Sequence, residues 1–256
     1  PASGASLVLP PGSVATVSLD DQSPTVSLSQ RNLLNQGTFL VTATGTSPTS
    51  LDLDQSNIDN QGSFELRNDS LQPLQLACVS LDCGTFANRA SATLLLNDIA
   101  GSIAIDAQLT ALNNDGLVEL TSGCASINAP GTDTGTYRYS GPCALAFVTR
   151  PGGERIFETS VILDEIGGTP LVIDGRLRVN GTSRSFLTLE IDANGILYGP
   201  AAITFDGLTR WHGVIEGAGL AETVTVGSLG SLETGGGPAD LPPDTPTLRS
   251  RLLTNT

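Results

Sequence analysis

The polar stretch Asn32-Leu33-Leu34-Asn35-Gln36-Gly37-Thr38-Phe39 returns 25 residues later as Asn57-Ile58-Asp59-Asn60-Gln61-Gly62-Ser63-Phe64. In each copy a cluster of Asn, Gln and Gly leads into alternating apolar and polar positions, the pattern of a strand with one buried face. Asn and Gly tolerate left-handed backbone angles, so the cluster predicts a tight turn and the Phe the start of an inward-facing row. The match runs on past the Phe, pairing Val41 with Leu66, Pro48 with Pro73 and Leu51 with Leu76. Weaker echoes stand at Asp82-Cys83-Gly84-Thr85-Phe86 and Asn114-Asp115-Gly116-Leu117-Val118.

Strands are also predicted on either side of the repeat. Val14–Leu19 and Thr25–Leu28 are rich in β-branched residues and bounded by turn residues. Ile103, Ile105, Ala107, Leu109 and Ala111 alternate strictly. Further on, 144–148 and 156–163 flank Arg150-Pro151-Gly152-Gly153-Glu154, which predicts a hairpin. Leu171, Ile173, Leu177 and Val179 run into Asn180-Gly181, a second hairpin signal. Leu187, Leu189 and Ile191 return from it and end at Asn194-Gly195. Arg176 and Arg178 fall opposite that apolar row, as in an antiparallel sheet wet on one face.

Two all-β architectures accommodate a 25-residue repeat. In a β-solenoid each copy is a coil stacked on the last; in an antiparallel sandwich each is a strand–turn–strand unit. The later echoes fall unevenly, 22 residues from Asn60 to Asp82 and 32 from there to Asn114. Two clear copies also fall short of the three a solenoid needs. The expectation is therefore an antiparallel β-sandwich, immunoglobulin-like or jelly-roll-like, with the solenoid as the alternative. No connection is long enough for a crossover helix, which argues against a parallel α/β sheet. The expected organisation is an extension over 1–22, β-subdomains over 23–143 and 144–230, and a Gly/Pro-rich linker with a tail over 231–256.

The passage Phe64-Glu65-Leu66-Arg67-Asn68-Asp69-Ser70-Leu71-Gln72-Pro73-Leu74-Gln75-Leu76 breaks one strand at Asn-Asp-Ser and resumes at Pro-Leu. Over these residues the chain resembles immunoglobulin-like sandwiches of secreted bacterial matrix and surface-fibre subunits. The resemblance implies an extracellular building block and carries over no catalytic residue.

The formal charge of −14 disfavours nucleic acid and anionic membrane surfaces and leaves divalent cations as plausible partners. No 18-residue apolar run predicts a membrane span. All twelve basic residues are Arg, so no Lys is present for Schiff-base chemistry. The opening Pro-Ala-Ser-Gly-Ala-Ser has the character of a processed, exported chain. Four cysteines suit an oxidising compartment. Three pairings are possible, of which the local ones, Cys78–Cys83 and Cys124–Cys143, are preferred. The alternative of a zinc site lacks a CxxC and has only one His to draw on.

Catalytic constellations are sparse. The single histidine, His212, follows Trp211 at a strand end and is expected to be a satisfied polar residue rather than a catalytic base. There is no GxSxG, P-loop or GxGxxG. Asp52 and Asp54 alternate with Leu51 and Leu53, which places them on a solvent face; with Asp59 they are weak calcium candidates. A glycosidase would need only two carboxyl groups at fixed separation, but few aromatics are present to stack sugars. The Asn-x-Ser/Thr sequences at Asn68 and Asn180 are taken as coincidental.

These features lead to a non-enzymatic, exported structural protein, a subunit of a filament, surface layer or matrix that associates with itself by strand addition. The strand-donor candidates are Leu7, Val8, Leu9, Val14, Val17 and Leu19 near the start, and Leu248 and Leu252 in the tail. An adhesin recognising glycans or a cell surface, and then a secreted carbohydrate-active hydrolase, are the alternatives.

Overall fold

A computed structural model describes residues 6–78, 83–99, 101–106, 108–140, 143–150, 152–217, 222–234 and 246–255. Among them there is no helix, and the strands pair in parallel throughout. One isolated antiparallel bridge, Asp54 with Cys83, is the exception. The chain visits three sheets in rotation. Asn32–Asn35 lies in the first, Thr38–Ala43 in the second and Thr49–Asp52 in the third; Ile58–Asn60, Ser63–Asn68 and Leu74–Ala77 then repeat the circuit. Successive circuits stack in register, with Leu33 opposite Ile58, Phe39 opposite Phe64 and Leu51 opposite Leu76. The fold is a three-sided parallel β-helix, and the expected antiparallel sandwich is wrong.

The first sheet has eleven strands, from Ser6–Leu9 to Thr247–Arg249, and the third has ten, from Thr25–Ser27 to Ser231–Thr234. The second is split into seven strands ending at Ile162–Ile166 and four beginning at Ser183–Phe186. The tail strands Thr247–Arg249 and Leu252–Asn255 pair with Val214–Gly217 and Thr223–Val226, so this piece docks on its own body. The Gly235–Pro238 and 241–245 linker stretches, with Ala107, Asp82 and the opening 1–5, lie outside the described residues.

The physical cause of the error is specific. Parallel sheets are usually buried on both faces and read as continuous apolar runs. A solenoid sheet has one face in the core and one in water, so its strands alternate like antiparallel ones. The connection that a parallel pair requires is made here by the other two strands of the coil, with no helix. The uneven echoes are corners of unequal length. Paired residues lie 25 apart at Leu33–Ile58, 28 at Ile58–Phe86 and 18 at Ile196–Val214, while the strands keep register. Neither predicted hairpin forms. Arg176–Val179 and Ser183–Phe186 belong to different sheets, and Gly181, at φ +101°, turns the corner between them. Leu145–Phe147 and Arg155–Phe157 are likewise in the third and first sheets.

The repeated motif acquires a different explanation. Asn35, Asn60, Gly37 and Gly62 are not among the residues with positive φ. Gly62 is needed for close stacking, because a Cβ there would lie 2.2 Å from the Gly37 carbonyl oxygen. Asn35, Asn60, Asn88 and Asn114 are fully buried and form a ladder along the inside of one corner. Each Nδ2 donates at 2.8 Å to the Oδ1 of the next Asn: Asn35 to Asn60, Asn60 to Asn88, and Asn88 to Asn114. The same nitrogens also donate to the carbonyls of Ser63, Thr93 and Leu117. Beside the ladder Phe39 stacks on Phe64 at 5.1 Å, and Phe86 meets Phe64 edge-on. Aliphatic rows such as Leu51, Leu76, Ile105 and Ile127 fill the interior.

Candidate functional site

The ladder ends in a buried ion pair. Asp133 takes the rung after Asn114, and its Oδ1 accepts the Asn114 backbone N–H. Arg155, fully buried one coil on, donates from Nε to Asp133 Oδ2 at 3.0 Å and from Nη2 to Oδ1. Its remaining donors reach the carbonyls of Ala129 and Leu112 and the Tyr137 hydroxyl at 3.0–3.1 Å. Burial raises the Asp133 carboxyl, with Arg155 opposing the shift. Burial also works against the Arg155 charge, but Asp133 and Tyr137 outweigh it and leave the guanidinium pKa raised. Burial holds the Tyr137 hydroxyl well above its ordinary value. With every donor turned inward, this cluster is structural. Arg184 and Arg251 act in a related way: Arg184 donates to the Glu158 and Val161 carbonyls, Arg251 to those of Gly199 and Ala201. A planar fork reaching two carbonyls is a task for Arg rather than Lys.

The strand-donor candidates are built into the first and last coils. Ser6–Leu9 pairs with Asn32–Asn35, and Val14–Leu19 with Thr38–Ala43, each along one edge only among the described residues. Leu19 is fully buried, while Leu9 and Val17 pack against the core. Leu7, Val8 and Val14 are 46%, 51% and 69% exposed. At the other end Leu248 packs on the core, whereas Leu252 is 59% and Leu253 44% exposed. The two sets lie at opposite ends of the β-helix axis.

The calcium candidates are not assembled into a site. Asp52 is buried rather than on a solvent face, because Leu51, Asp52 and Leu53 all turn inward where the strand enters a corner. Asp54 accepts the Ser29 hydroxyl at 2.8 Å, and Asp59 pairs with Arg89 at 2.6 Å. No metal-binding group of three His, Cys, Asp or Glu side chains occurs among the described residues. Cys78 bonds Cys83 within one corner, and Cys124 bonds Cys143 across neighbouring coils, at Cα separations of 5.7 and 5.0 Å. Both are compatible with an oxidising extracellular location. No helix among the described residues is long and apolar enough to cross a membrane.

Sequence reasoning missed a second ladder, on the outside of the corner that follows the third sheet. Asp174, Asp192 and His212 succeed the strands Leu171–Ile173, Leu189–Ile191 and Leu208–Trp211, and the backbone bonds stack them. Asp192 N–H donates to the Ile173 carbonyl, and His212 N–H to that of Ile191. Burial first, then the Asp174 charge, raises the Asp192 carboxyl, while His212 lowers it. Their sequence signal was a polar residue directly after each apolar strand. Beside this stack runs a groove of about 650 Å³ lined by Val148, Arg150, Asp174, Arg176, Asn194 and Ile196 among others.

Comparison of the chain with protein-family models, curated proteins and solved structures gives no match.

Proposed function

We propose that this is an exported, non-enzymatic structural protein that assembles end to end into an extracellular filament, layer or matrix. The observation that carries the proposal is the pair of terminal coils. Among the described residues each offers strands bonded along one edge only, with exposed Leu7, Val8 and Val14 at one end and Leu252 and Leu253 at the other. Unpaired strand edges are templates for another chain, and here the added strand would meet a ready-made register. Because every strand follows the same circuit, the two ends differ. A second copy shifted along the axis sets its Ser6–Leu9 and Val14–Leu19 against Thr247–Arg249 and Leu252–Asn255. Such a head-to-tail contact does not close on itself and grows as an open fibre.

The test is sedimentation over a concentration series together with electron microscopy. Wild-type chain is expected to form concentration-dependent linear oligomers. Val8→Lys/Val14→Lys, altered only at exposed positions, is expected to stay monomeric with an unchanged melting temperature. A wild-type chain that sediments as a monomer at all concentrations sinks the proposal.

A further inference from the structure

The groove beside the Asp174 corner has the chemistry of a ligand site, and it lies away from the end coils. Arg176 begins the strand Arg176–Val179 and faces outward. Its backbone N–H donates to Thr149 Oγ1 at 2.7 Å. The guanidinium carbon sits 4.7 Å from the centre of the Tyr198 ring, which holds the side chain at the groove. Gly175 lets the walls approach, since a Cβ there would lie 2.4 Å from the Thr149 nitrogen. Among the described residues Arg176 makes no ion pair, in contrast to Arg138, which has two acidic partners. Arg150, on the same groove, is held only loosely by Asp106 at 3.6 Å.

Exposed Arg31, Arg178 and Arg249 also make no ion pair among the described residues, but of these four arginines only Arg176 lines the groove, and a carboxylate is a group that matches its planar fork. The other lining groups add a second requirement. Asn194 Nδ2 donates to Asp174 Oδ1 at 3.2 Å, leaving the other carboxylate oxygen to accept hydroxyls and the amide oxygen to do the same. Val148 and Ile196 supply apolar wall, which suits the C–H face of a ring. A ligand with a carboxylate, neighbouring hydroxyls and a small apolar face is a sugar acid. We propose that this groove binds a carboxylated saccharide, with Arg176 contacting the carboxylate and Asp174 and Asn194 the hydroxyls. The site does not depend on the end-to-end assembly and would stand if that failed.

The test is NMR titration of the full chain with glucuronate, galacturonate and N-acetylneuraminate, beside methyl glucoside, methyl galactoside and acetate. At least one sugar acid is expected to shift resonances of residues 148–150, 174–176 and 194–198 and to bind at least about tenfold more tightly than its neutral counterpart and than acetate. Arg176→Gln is expected to abolish that preference. Arg178→Gln, two residues along the same strand with its Nε bonded to Asn180, is expected to keep it. Equal binding of neutral and acidic sugars, unchanged binding by Arg176→Gln in a folded protein, or no groove shift with any sugar acid would each overturn the proposal.

Discussion

Asn88→Ala removes the middle rung of the buried ladder and tests whether the ladder holds the coils together. Asn88 accepts from Asn60 Nδ2 and donates to Asn114 Oδ1, both at 2.8 Å, and to the Leu117 carbonyl at 3.0 Å. Three net hydrogen bonds at about 1 kcal/mol each, with Asn114 Oδ1 left without its donor, give a loss of about 3–5 kcal/mol. Asn35→Ala, at the ladder's end, provides the internal comparison. Asn35 makes two such bonds, and its own Oδ1 has no donor, so its loss is expected to be about 1 kcal/mol smaller. The assay is urea unfolding with the disulfides intact, followed by circular dichroism. For a chain of this size the larger figure corresponds to a melting temperature lower by on the order of 10 °C. An unchanged m-value would show that the cost falls on the native state. If Asn88→Ala costs under about 1 kcal/mol, or Asn35→Ala costs more than Asn88→Ala, the ladder does not carry the stability assigned to it.

Two further outcomes follow from the charged groups. Arg155→Lys keeps the charge but cannot reach Asp133, Leu112 and Ala129 together, and a loss of about 3–5 kcal/mol is expected by denaturant unfolding; a loss within about 1 kcal/mol would remove the fork from the account. Asp192 has its carboxyl raised by burial and by Asp174, so the native state retains the proton longer than the unfolded chain as pH rises. Below the ordinary carboxylate value both states are protonated and no penalty applies; once pH exceeds the raised value the full penalty does. Asp192→Asn is thus expected to raise the melting temperature at pH 7 and to leave it unchanged at about pH 3, below the unperturbed Asp value. Equal gains at both pH values would refute the assignment.

The alternation of apolar and polar positions determined which side chains face inward, and it did so correctly along Phe39, Val41, Phe64, Leu66 and Leu76. It also located the corners, at Asn35-Gln36-Gly37 and Asn180-Gly181 among others. What alternation could not determine is the direction of the neighbouring strand. A period of two belongs to a single strand half in water, whether its partner runs parallel or antiparallel. Pairing was decided in three dimensions, where corners of different length bring Leu33 to Ile58 and Ile196 to Val214. The same holds for function-bearing groups. The Asn ladder left a trace in the sequence, an Asn at the end of four successive first-sheet strands, Asn32–Asn35, Ile58–Asn60, Thr85–Asn88 and Ala111–Asn114, and was legible in principle. The Asp133–Arg155 pair and the groove of Val148, Asp174, Arg176 and Asn194 were not, because their members come from successive coils and meet only when those coils stack.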